Sequence, residues 1–242
     1  RIPPAPGSPR AAGRTMDKER GLIRAAGSMS VMTTLSRIAG YFRDNLQAAL
    51  LGAANSSDAF VIAYRIPNML RRLVGEGALT AAFVPTFARY LKSGDRQAMR
   101  RFAGSVLYAM IAILAVLTAL GIVFSPLLVK VLAWGFSVSP EKMALTVSLN
   151  RLMFPYIFFI SLAALASGVL NAFDVFALPA FTPVLLNLAI ITSAWMLRNQ
   201  FSDPSYGFAV GVIAGGFLQL AVQVPALLRQ GSFIPLIVLL MV

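Results

Sequence analysis

The chain of 242 residues contains no cysteine and no histidine. Their absence excludes disulfides, thiolate nucleophiles, Ser-His-Asp triads and His- or Cys-ligated zinc sites. It says little about redox compartment, because a bilayer protein needs no staples. Charge is also scarce. Asp, Glu, Lys and Arg make up 12% of the residues, against roughly 25% in a soluble domain. Acidic residues are the rarest, 9 against 21 basic, for a net charge of +12.

What is present is apolar. Hydrophobic residues account for 58% of the chain, and the mean hydropathy is +0.76. A compact soluble domain must clothe its outside in polar groups. The composition therefore points to a membrane protein and excludes disordered, collagen-like and disulfide-rich classes. In a membrane protein a basic excess has two ordinary uses, fixing topology and binding an anionic ligand. A nucleic-acid partner is not expected, since the basic residues alternate with membrane-length apolar runs.

Four runs carry no charge: 102–129, 152–173, 175–197 and 204–228. Each exceeds the ~20 helical residues that cross a hydrocarbon core. Only Asp174 parts the second from the third, with Asn171 and Pro179 nearby, which predicts a tight turn and an antiparallel pair. Two further runs, 25–51 and 59–88, have membrane length but hold charges. The expected fold is all-α, a polytopic transmembrane helix bundle of six spans with the start of a seventh. Residues 1–20 read as a disordered cytoplasmic tail, with an upstream extension before Met16 and no signal-peptide features. Residues 21–230 read as the six-helix lobe, and 231–242 as a truncated seventh span.

Loop charges orient this bundle. With the N-terminus inside, the cytoplasmic pieces hold twelve Lys or Arg and the outside pieces 52–57, 130–142 and 198–203 hold three. That is a positive-inside bias. Six basic residues remain within spans, all Arg: Arg37, Arg43, Arg65, Arg71, Arg72 and Arg151.

A charge at the bilayer centre costs about 2.5–3.5 kcal/mol, so several in two helices must face water or one another. At 100° per residue, Asp58, Arg65, Arg72 and Glu76 fall at about 0°, 340°, 320° and 0° on one face of the second span. Arg72 and Glu76, four apart, can pair. In the first span Arg37 and Asp44 share a face, and Arg43 lies about 120° around. Five Arg in these spans meet only Asp44, Asp58 and Glu76. A net positive pocket in a membrane asks for an anion. Arg suits phosphate, because its planar fork donates two parallel hydrogen bonds and stays charged when partly desolvated. The plainer reading, internal salt bridges with a structural role, stays open at this point. Arg151 reads as a snorkelling residue near the outer end of the fourth span.

Weaker marks are structural. Gly207, Gly211 and Gly215 recur every four residues, as in a helix-packing ridge. Trp134 and Trp195 sit at expected interfaces.

The segment Ser36-Arg37-Ile38-Ala39-Gly40-Tyr41-Phe42-Arg43-Asp44 resembles the first-span signature of the MurJ/MviN lipid II flippase family. The likeness continues through Gly52-Ala53, Asp58-Ala59-Phe60, Arg65-Ile66-Pro67-Asn68, Arg71-Arg72-Leu73, Glu76-Gly77-Ala78 and Ala82-Phe83-Val84-Pro85. It extends to Phe154-Pro155-Tyr156, Leu178-Pro179-Ala180-Phe181-Thr182-Pro183, Gly215-Gly216, Gln219, Gln223 and Pro225. The resemblance implies one lobe of a two-lobe, fourteen-span exporter fold around a cationic cavity. It implies flipping of lipid II, an undecaprenyl-diphosphate-linked saccharide, from the cytoplasmic to the periplasmic leaflet of the cell inner membrane. By it Arg37, Arg43 and Arg71, with Ser36 and Asn68, are substrate-binding residues. Asp44, Asp58, Arg65, Arg72 and Glu76 take gating or ion-pair positions. The implied partners are the lipid-linked substrate, membrane lipids and a missing C-terminal lobe. No cofactor, metal or catalytic residue is implied. Two alternatives remain: export of another polyprenyl-diphosphate saccharide, and a non-transporting scaffold lobe in cell-wall assembly. An enzyme acting on polyprenyl diphosphates would need a nucleophile or a carboxylate cluster, whereas the three acids here are interleaved with Arg.

Overall fold

A computed structural model describes residues 9–52, 55–71 and 79–230, apart from the side chains of 9–26, 79–81, 137 and 138. The helices are α1 (Pro9–Leu51), α2 (Asn55–Arg71), α3 (Leu79–Ser93), α4 (Arg96–Val123), α5 (Ser125–Leu132), α6 (Pro140–Met153), α7 (Tyr156–Ala172), α8 (Ala177–Leu197), α9 (Ser205–Ala221) and α10 (Val224–Arg229). A 3-10 turn, Trp134–Val138, joins α5 to α6. No strand occurs among the described residues. Arg72, Glu76 and the expected seventh-span start at 231–242 lie outside them.

Among the described residues, four stretches are long and apolar enough to cross a membrane: Arg96–Val123, Pro140–Ala172, Ala177–Leu197 and Ser205–Arg229. They overlie the four uncharged runs. Prolines explain the breaks within them, because proline lacks the N–H that its helix needs. The break between α6 and α7 falls at Phe154-Pro155, and α10 begins just ahead of Pro225.

Two boundaries differ from expectation. Helix α1 starts at Pro9, inside the stretch read as a tail. Its Ala, Arg, Lys and Glu residues are good helix formers and need no apolar face to adopt that form. The fourth span starts at Pro140 rather than near 152. Arg151 therefore lies in the last turn of α6, about 16 Å into that span at 1.5 Å per residue. A search for uncharged runs stops at Arg151, but the helix tolerates it on an exposed face.

Helix α8 lies between α1 and α9, and α9 also meets α6 and α7. Helix α2 packs on α6, while α3 and α4 flank α7. The glycine ridge of α9 faces α8. A Cβ on Gly211 would lie 2.6 Å from Ile190 Cα, and one on Gly215 3.0 Å from Leu186 Cα. Backbones this close leave no room for a side chain, and the Ser193 hydroxyl donates to the Gly207 carbonyl at 2.8 Å across the same seam.

Buried polar groups tie the remaining helices. Asn150 donates to the Ala63 carbonyl at 3.1 Å and accepts from the Ser125 hydroxyl at 2.8 Å, linking α2, α5 and α6. Gln223 donates to the carbonyls of Ala163 and Gln219 and accepts from Ser167 Oγ, so the break between α9 and α10 is held against α7. Bonds of this kind meet the demand that buried polar groups find partners. The tight turn expected at Asp174 is present. The Val175 N–H returns to the Leu170 carbonyl at 2.9 Å, and Asp174 adopts φ 62°, the left-handed helix stop that Asp tolerates better than most residues.

Contacts sort the connections to two ends. Ser56 meets Asp203, and Asp58 meets Lys142, at one end. Arg96, Phe173 and Arg229 border a cleft of about 360 Å³ at the other.

Candidate functional site

Helix α1 docks on α8 and barely touches α2. The gap left between α1 and α2 is a cavity of about 410 Å³. Arg43, Asp44 and Gln47 line it from α1, Phe60, Tyr64, Arg65 and Asn68 from α2, and Ile190 from α8. The aromatic side is packed: Tyr64 stacks on Phe60 at 6.0 Å between centroids and tilts onto Tyr156 at 6.1 Å.

Arg43 is the best-held cation of the site. Its Nε and Nη2 donate to a single oxygen of Asp44, at 3.1 and 2.8 Å. Its Nη1 donates to Asn187 Oδ1 of α8 at 2.9 Å. Asp44 is 65% exposed against 25% for Arg43. The ion pair thus sits at the open side of the cavity, where such pairs typically contribute 0–1 kcal/mol.

Arg65 is exposed on the same cavity, and no ion pair or hydrogen bond is seen for it among the described residues. Asn68 reaches the cavity one turn further along and accepts from Arg71 Nε at 3.1 Å. Arg71 is therefore connected to the cavity wall through Asn68. Arg37 and Ser36 lie further along α1, outside the cavity lining. Arg37 is exposed, and the Ser36 carbonyl accepts from Asn187 Nδ2 at 3.1 Å.

The acidic residues divide. Asp44 belongs to the cavity. Asp58 does not line it; its carboxylate pairs with Lys142 of α6 at 2.5 Å, and Lys142 also lies 4.1 Å over the Phe136 ring. The sequence placed Asp58 on a stripe with Arg65, whereas the structure gives it a partner 84 residues away. Arg72 and Glu76 fall outside the described residues. Asn187 was missed altogether. Its only sequence signal is a single amide in the middle of an uncharged helix. Among the described residues no group of His, Cys, Asp and Glu is disposed to hold a metal ion.

Chemically the site offers guanidinium donors and one exposed carboxylate around a water-accessible space, an arrangement suited to binding an anion. A family model described as "Lipid II flippase MurJ" matches residues 47–238. A "Lipid II flippase MurJ" of Burkholderia cenocepacia is 43% identical over 216 residues, 89% of this chain and 42% of that protein. A "Probable lipid II flippase MurJ" of Buchnera aphidicola subsp. Acyrthosiphon pisum is 39% identical over 86% of this chain and 41% of its own length. The chain thus spans less than half the length of these relatives. A solved structure titled "Lipid II flippase MurJ, inward closed conformation" superposes with a TM-score of 0.64 at 33% identity, covering 80% of this chain and 41% of that one. By the extent of the family match and by these relatives, this helical membrane protein belongs to the lipid II flippase MurJ family.

Proposed function

We propose that this chain supplies one wall of a lipid II flippase and grips the diphosphate of an undecaprenyl-linked saccharide. The observation that carries the reading is the cavity between α1 and α2. Arg43 presents its bidentate edge there under a weak, exposed carboxylate cover, with Arg65 beside it and Arg71 one hydrogen bond behind. The diphosphate displaces Asp44 from Arg43, and Asp44 is left to water at little cost. Arg37, Arg71, Ser36 and Asn68 extend the binding surface along both helices.

Transport follows by alternating access, in concert with the further part that the longer relatives possess. The lipid tail stays in or beside the bilayer while the hydrated cavity carries the polar head. Moving a charge through the membrane potential contributes about 2.3 kcal/mol per 100 mV. No bond is made or broken, so the reading is transport rather than catalysis. The setting is the bacterial inner membrane with the N-terminus cytoplasmic, which the basic excess of the 89–101 connection favours.

The test is complementation of a flippase-depleted bacterium by the full-length protein. Arg37→Ala, Arg43→Ala and Arg71→Ala should each abolish growth while membrane insertion is retained. A lysine at these sites keeps the charge but loses the fork, so partial growth is expected. Normal growth of all three alanine variants would overturn the assignment.

A further inference from the structure

We infer that Asn187 of α8 is a positioning residue that sets which edge of the Arg43 guanidinium faces the cavity. The inference rests on the diphosphate reading above.

Helix α1 carries Arg37 and Arg43 but is poorly anchored by apolar burial. Among its described side chains only Leu51 is buried. Something other than a hydrophobic stripe must fix its rotation. Asn187 sits at the centre of α8 and is 6% exposed. Its amide grips α1 at two points, donating to the Ser36 carbonyl at 3.1 Å and accepting from Arg43 Nη1 at 2.9 Å. Helix geometry explains how both reach it. Carbonyls point toward the C-terminus of a helix, and side chains lean back toward its N-terminus. The Ser36 carbonyl and the Arg43 side chain therefore converge at the level of Gly40. There a Cβ would lie 3.6 Å from Asn187 Nδ2, so the amide rests in contact with the glycine.

The consequence is directional. A guanidinium has five N–H donors in a fixed plane. Asn187, which does not line the cavity, takes one from Nη1. That leaves the Nε/Nη2 edge for Asp44, and in its place for phosphate. Exchange of Asp44 for diphosphate need not disturb the amide. Asn187 holds the arginine through binding and release, and touches no substrate itself. An amide that merely glued α1 to α8 would act on affinity independently of the side chain at position 43.

A double-mutant cycle separates the two roles. The full-length protein in lipid nanodiscs is titrated with undecaprenyl diphosphate as wild type, Asn187→Leu, Arg43→Lys and the double variant. Thermal melting of each confirms folding. Asn187→Leu should weaken binding about tenfold, the usual scale for losing a charge-assisted hydrogen bond. In the Arg43→Lys background, where no planar edge remains to be aimed, the same change should cost less than about twofold. If Asn187→Leu does not insert, Asn187→Ala carries the same cycle. Wild-type affinity in the single variant, or losses that multiply in the double, would overturn the positioning role. Wild-type affinity in both Arg43→Lys and Arg43→Ala would overturn the diphosphate reading itself, and the role of Asn187 falls with it.

Discussion

Gly211 of α9 meets Ile190 of α8 backbone to backbone: a Cβ on the glycine would stand 2.6 Å from the isoleucine Cα and 3.0 Å from the Ala189 carbonyl oxygen. Main-chain atoms cannot swing aside as a flexible side chain does, so the helices themselves must part. Gly211→Ala should therefore destabilise the protein by about 1–3 kcal/mol, the usual cost of overpacking. Gly207→Ala, whose nearest main-chain contact is 3.3 Å, should cost less. Gly27→Ala is the control, because nothing lies within 4 Å of its Cβ position and alanine favours a helix. Thermal unfolding in detergent ranks the three, and equal melting of Gly211→Ala and Gly27→Ala would contradict the close seam.

This seam was legible in the sequence, and the reason is instructive. Close helix approach needs small residues at a fixed four-residue interval, which is a local pattern. The uncharged runs were legible for the same reason: bilayer thickness imposes a length on contiguous residues. Helical spacing set Asp44 on a face with Arg37, whereas the structure pairs it with its chain neighbour Arg43. What the sequence hid depends on contacts between distant segments. Lys142 looked like a loop cation until α6 brought it to Asp58, and the start of that helix at Pro140 was masked by the three charges it contains, Glu141, Lys142 and Arg151. Asn187 is 144 positions from Arg43 and carries no charge, so neither spacing nor charge counting could find it.

Asp203 gives a pH-dependent test outside the spans. Burial raises its pKa, but hydrogen bonds from Ser205 and from the Ser56 hydroxyl outweigh burial and hold it below the ordinary 3.8. The Ser56 bond is 2.5 Å and the Ser205 N–H bond 2.8 Å. A folded-state pKa below the unfolded value stabilises the fold fully above 3.8. As pH falls, the unfolded chain takes the proton first. The contribution is lost as the pH passes down through the folded pKa. Asp203→Asn should thus cost about 1 kcal/mol at neutral pH, a modest figure because the residue is only partly buried and solvent screens the carboxylate. The melting difference between wild type and variant should shrink as pH drops below 3.8. A difference unchanged between pH 7 and the acid end of the titration would show that the ionised carboxylate is not what ties α2 to the α8–α9 connection.

Solvent access decides between a hydrated anion site and a sealed set of salt bridges. The chain has no cysteine, so single substitutions report cleanly. Arg37 is exposed, Arg43 is one-quarter exposed beside a cavity of about 410 Å³, and Arg71 is half-buried behind Asn68. Leu114 is 0% exposed in α4. In the full-length protein, Cys introduced at positions 37, 43 or 71 should react with a small charged thiol reagent, fastest at 37 and slowest at 71. Cys at 114 should stay unmodified over the same interval. The physical ground is that thiolate is the reactive form and needs water to ionise. A guanidinium within bilayer thickness likewise needs water or an anionic partner around its charge. Protection at 37 and 43 equal to that at 114 would mean that the arginines are closed off from water. The charges would then be neutralised inside the protein, leaving no route by which a diphosphate headgroup could exchange with Asp44.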